Sequence, residues 1–131
     1  MHRAQRLEPQ RLWGRVSLVL LSDRGIREVN GAFLGRGVPT DVMAFAYPPG
    51  PADRGRYEGE VLVNVQRAWQ EGRRRRGPSH ELALYVAHGC DHLAGRDDAT
   101  AAEALAMRRR ENRWLRTSPA QVDNLFEAPP C

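Results

Sequence analysis

Two histidines four residues apart, His88 and His92, are followed by Gly95 and Asp98 in the stretch His88-Gly-Cys-Asp-His92-Leu-Ala-Gly95-Arg-Asp-Asp98. On a helix, residues four apart project from one face, so the two imidazoles can share one divalent cation. Gly95 permits a sharp reversal after the helix. Asp98 can then approach the same ion from another direction. Three protein ligands with one position left for water is the make-up of a catalytic zinc site. Histidines at this spacing also occur as ordinary helix residues. In a buried helix, however, each unligated ring needs a polar partner or incurs a desolvation cost. Gly89 occupies the position where H-E-x-x-H peptidases carry their general base, which argues against peptide cleavage. Asp91 and Asp97 are the other nearby carboxylates, and either can orient a ligand or a water. His2, at the terminus, and His80, in a first helical turn, suggest no such role.

The elements that must position these groups follow from the pattern around them. Residues 15–21 are short, β-branched and apolar and predict a buried strand. Ser22 or Asp23 caps a helix with Ile26, Val29, Ala32 and Phe33 inward, stopped by Gly35 and Gly37. Residues 41–47 and 60–64 predict two further strands, separated by a Pro- and Gly-rich loop over 48–56. Asn64 caps a short helix over 65–71. Ser79 is placed to cap a helix over 80–93 that is apolar nearly all round, as a central buried helix would be. Thr100 caps a last helix over 101–116, with Ala104, Leu105, Met107, Trp114 and Leu115 inward. Residues 1–14 and 117–131 carry little pattern, leaving 15–116 as the expected domain.

The composition bounds the rest. At 131 residues the chain makes one domain, too short for a dinucleotide-binding fold with a separate substrate domain. Apolar stretches such as 16–21 are far short of the roughly 20 residues of a membrane-crossing helix, and no secretory signal is read. Two cysteines, Cys90 and Cys131, make no disulfide framework, and a reduced cytoplasmic protein is expected. The net charge of +4 is carried by arginine without a single lysine. Guanidinium grips phosphate bidentately, although codon bias in a GC-rich genome accounts for the missing lysine. The excess charge favours an anionic partner.

The histidine stretch resembles the signature of the YbeY family, bacterial metal-dependent endoribonucleases that mature ribosomal RNA. The family pattern H-G-x-L-H-L-x-G-Y-D-H is matched at His88, Gly89, His92, Leu93, Gly95 and Asp97. Val29-Asn30 followed by Pro39-Thr40-Asp41-Val42-Met43-Ala44-Phe45 resembles its L-N … P-T-D-V-L-S-F, and Gly59-Glu60-Val61 its G-D-I. The departures are Asp98 for the third histidine, Arg96 for the tyrosine, Asp91 for the leucine, and Leu34 for a functional arginine, with Arg36 two residues away. An anionic Asp98 in place of a neutral ring keeps an ordinary zinc ligand and makes a bound water less acidic.

The resemblance implies an α+β domain, a small mixed β-sheet packed with helices around a central, zincin-like metal-binding helix. It implies one zinc ion per chain, or another divalent transition metal, on His88, His92 and Asp98. Arg36 and Asp91 are then the candidate catalytic residues. The implied partners are ribosomal RNA and the small ribosomal subunit, with no membrane. Arg54, Arg56, Arg73, Arg74, Arg75, Arg76 and Arg96 are candidate backbone contacts, while Arg108 to Arg110 suit a solvated helix face. The competing reading is a ribosome-associated RNA-binding module with a structural metal and decayed catalysis. A closed set of four protein ligands would mark it.

Overall fold

Val61-Leu62-Val63 is the stretch around which the molecule is built. It lies in β3 (Arg56–Asn64), the middle strand of a three-stranded sheet. β1 (Leu12–Leu21) pairs with β3 in parallel, and β2 (Val42–Tyr47) pairs with it antiparallel. Four helices complete the α+β architecture: α1 (Asp23–Leu34), α2 (Val65–Gly72), α3 (Pro78–Leu93) and α4 (Ala101–Thr117). The computed structural model describes residues 12–34, 40–96 and 98–117. Arg36, Asp97 and the expected helix stops Gly35 and Gly37 lie outside them.

Side chains alternate across β3, and both faces are covered. Val61 and Val63 pack with Trp13 and with Leu82, Tyr85 and Leu93 of α3. Leu62 packs on the opposite side with Met43 of β2 and with Ile26 of α1, which is fully buried. A strand covered on both faces is apolar at every position, hence a continuous run rather than an alternating one. Helix α3 packs against α2, α4, β2 and β3, as its all-round apolar sequence predicts.

Boundaries differ from the sequence reading where tertiary pairing decides them. β1 begins at Leu12, within the stretch read as patternless. Trp13 there is buried and meets Tyr57 at 5.8 Å between ring centroids. Gly14 interrupts the pattern because the register shifts between Trp13 and Arg15. Asn64 caps α2 by accepting from the Arg67 amide at 3.0 Å. Thr100 caps α4: its Oγ1 accepts from the Glu103 amide at 3.1 Å and donates to the Glu103 carboxylate at 2.9 Å. Ser79 is not the cap of α3: Gly77, at φ 104°, stands there, with Pro78 in the first turn. Ala32 and Leu105, expected inward, are exposed. Among the described residues no helix is long and apolar enough to cross a membrane.

At Gly89 α3 packs directly on the sheet. A Cβ there would lie 2.5 Å from Val61 Cγ1 and 3.1 Å from Val42 Cγ2. Both neighbours are β-branched and stiff. Overpacking of this kind costs about 1–3 kcal/mol, while alanine gains about 1 kcal/mol in helix propensity. Gly89→Ala is therefore expected to lower the melting temperature by several degrees, read by circular dichroism. A variant melting at or above the parent temperature would contradict the close contact. The same geometry leaves no room for a glutamate after the first histidine.

Candidate metal centre

One stripe of α3, carrying Leu84, Tyr85, His88 and His92, faces a cleft of about 890 Å³. Residues 40–42, leading into β2, form one wall, and Met107, Arg108 and Glu111 of α4 form another. At the C-terminal end of α3 the chain reverses through Gly95, at φ 81°. Gly95 N–H donates to the His92 carbonyl and Arg96 N–H to the Asp91 carbonyl, both at 3.0 Å. This pair of bonds is the Schellman ending that favours glycine. It turns Asp98 back toward the helix.

The three donors converge. His88 Nε2 lies 3.0 Å from His92 Nε2 and 3.6 Å from Asp98 Oδ2. The two rings are perpendicular, with centroids 4.5 Å apart. One ligand atom from each of the three residues falls within 4.8 Å of the others. Donors placed tetrahedrally at about 2.0–2.1 Å from a zinc ion stand about 3.3 Å apart. The spacing and the donor chemistry, two imidazole nitrogens and a carboxylate oxygen, fit such an ion.

His88 is held from behind by a residue that sequence reasoning missed. Its Nδ1 lies 3.1 Å from both carboxylate oxygens of Glu111, which is 4% exposed. With Nδ1–H donating to Glu111, Nε2 carries the lone pair that faces the cleft. The bond and charge of Glu111 raise the His88 pKa against the opposing effect of burial, and Asp98 and Asp91 add to the rise. A signal for Glu111 exists in the sequence. Met107, Glu111 and Leu115 are spaced four apart on the buried stripe of α4, and an acid on such a stripe needs a partner.

Comparison with known proteins gives the family of the chain. A family model described as Endoribonuclease YbeY matches residues 1–118. The chain belongs to the YbeY family. Endoribonuclease YbeY of Anaeromyxobacter sp. (strain Fw109-5) is 37% identical over 119 residues, covering 88% of this chain and 60% of that protein. The Rhodopirellula baltica protein of the same name is 36% identical over 101 residues, 75% of this chain and 50% of its own length. The Moorella thermoacetica one is 37% identical over 109 residues, 76% and 70% respectively. The chain thus spans half to 70% of the length of these relatives. The solution structure of TM1509 from Thermotoga maritima aligns over 97% of this chain and 88% of its own, with a TM-score of 0.52 at 22% identity, a likeness of fold.

The structure separates the other residues singled out in this YbeY-family chain. Asp91, read as a candidate catalytic acid, is completely buried and lines no part of the cleft, so its position does not support that role. Arg54 sits in an exposed turn at φ 52°. Arg56 lines a separate depression with Asp53 and Glu58. Neither reaches the cleft. The 73–76 run does not act as a unit. Arg73 is exposed, Arg74 pairs with Glu71 at 2.5 Å, and Arg75 pairs with the buried Glu81 at 3.0 Å. Arg75 and Arg76 line the cleft, and so does Arg108, which the sequence reading left on a solvated face. Arg96 is half-buried just beyond Gly95. Tyr85, buried in the cleft floor, keeps its proton: burial first, then the charges of Asp41 and Glu81, raise its pKa.

Proposed function

We propose that this chain is a metal-dependent endoribonuclease that hydrolyses phosphodiester bonds of single-stranded RNA in ribosomal RNA processing. Its partners on this reading are ribosomal RNA and the small ribosomal subunit, and its place is the cytoplasm. The observation that carries the proposal is the convergence of His88, His92 and Asp98 in a cleft also lined by arginine. One zinc ion per chain suits the donor set, and when bound it supplies a Lewis acid for phosphoryl oxygens and a more acidic water. His88 and His92 present nitrogen lone pairs from a helix fixed to the sheet, and Glu111 holds one ring in register. Asp98 supplies the anionic donor. Arg36 is proposed as a further cation at the reacting phosphate.

A binding module with a structural metal would close the site with a fourth protein ligand. Among the described residues the donor group has three members. Cys90, the nearest thiol, is buried and does not line the cleft. The deciding experiment incubates the purified chain with ribosomal RNA, with and without chelator, beside Asp98→Ala. Cleavage that both chelator and substitution abolish is expected. Cleavage indifferent to chelator would overturn metal dependence, and RNA bound but left intact would favour the module.

A further inference from the structure

The cleft sorts its own charges. Each of its four carboxylates has a cationic or imidazole neighbour: Asp41 pairs with Arg67 at 2.6 Å, Glu81 with Arg75 at 3.0 Å, Glu111 with His88 at 3.1 Å, and Asp98 with His88 at 3.6 Å. Two lining arginines, Arg76 and Arg108, have no ion pair among the described residues. They come from different elements, the turn before α3 and the body of α4. Along α3 they also lie on opposite sides of His88. Arg76 stands beside His80, whose pKa is lowered by burial and by the Arg76 charge. His80 precedes His88 by eight residues, about 12 Å of helix axis. α4 runs antiparallel to α3, because Leu115 packs on Ala83 and Leu84 while Glu111 meets His88. Arg108, three residues before Glu111, therefore lies on the far side of His88, toward His92.

We propose that Arg76 and Arg108 grip backbone phosphates on opposite sides of His88, so that the cleft takes an RNA strand that continues in both directions from the bond at the metal. Glu81, by neutralising Arg75, positions the turn and leaves Arg76 as the gripping cation at that end. This rests on the nuclease reading for the identity of the polyanion. The inference adds where the strand is held and why an internal bond is presented. A guanidinium–phosphate pair contributes enough to be seen singly, about tenfold or more in affinity.

The test uses the full chain with zinc and a fluorescein-labelled, ribose-methylated single-stranded oligonucleotide that resists cleavage. Anisotropy is read across a salt series for the parent, Arg76→Ala and Arg108→Ala. Each substitution is expected to weaken binding about tenfold and to reduce the salt slope by about 0.7. Shortening the oligonucleotide at one end should erase the effect of Arg76→Ala alone, and shortening it at the other the effect of Arg108→Ala alone. Unchanged affinity and slope in both variants would overturn the proposal, as would both effects vanishing on shortening at the same end. A parent chain that shows the expected two-sided pattern yet cuts no unmodified RNA loses the nuclease reading and keeps this one.

Discussion

His92→Ala is expected to strip the chain of its cation. The parent protein, loaded with zinc and passed through gel filtration, should retain about one ion per chain by elemental analysis, and the variant essentially none. Two donors remain in the variant, one of them the partly exposed carboxylate of Asp98. Loss of a residue that merely orients a ligand lowers metal affinity about 10–100-fold, so loss of a ligand itself should exceed about a thousandfold. His92 is the better choice for this test than His88. Removing the His88 ring would also leave buried Glu111 without its bond, a penalty of about 1–3 kcal/mol that mixes folding with binding. A His88→Ala, His92→Ala double substitution then serves as the limiting case. Stoichiometric zinc retained by a folded double variant would remove the metal centre from consideration.

The second large effect belongs to Glu111. Glu111→Ala should weaken zinc binding about 10–100-fold while every ligand stays in place, because the ring it fixes loses both its orientation and some basicity. Glu111→Gln can still accept from Nδ1–H without the charge, and should recover part of the loss. The pH dependence gives a second reading. A cation and a proton compete for His88 Nε2, and Glu111 raises the proton affinity of the ring. Zinc affinity, titrated at each pH, should therefore begin to fall on acidification at a higher pH in the parent than in Glu111→Gln. The metal-free chain has the opposite dependence. A histidine whose pKa is raised by folding contributes stability that is present at acid pH and lost as the pH rises through that raised value. If the affinity begins to fall at the same pH in parent and variant, the carboxylate does not govern the ring.

The clustering of His88, His92 and Asp98 was legible in the sequence because helical spacing and a glycine turn are local rules. His88, His92, Gly95 and Asp98 need only the period of a helix and the geometry of its end to be placed together. The strands were legible for the same reason, as were the caps at Asn64 and Thr100. What was not legible depends on pairing between distant segments. Trp13 joins the core only because β1 finds a parallel partner in β3, 43–44 residues downstream along the ladder. Glu111 meets His88 only because α4 folds back antiparallel on α3, and its arginine-rich surroundings disguise the buried stripe it belongs to. The 73–76 run looked like one basic patch, yet Glu71 and Glu81 engage two of its four members, and Glu81 is buried where the sequence shows only an ordinary helix acid. Asp91 looked available beside the histidines, but its place on the helix turns it into the interior.

The two sides of the cleft are anchored unequally. The helix bearing both imidazoles is wedged against Val61 and Val42 through a position where even a Cβ would crowd its neighbours, whereas the helix bearing Glu111 and Arg108 packs principally on its neighbour α3. Glu111 and Arg108 share that helix, so a load placed on it would reach the His88 Nδ1 bond and the proposed phosphate contact together, and binding of strand and of cation would be coupled.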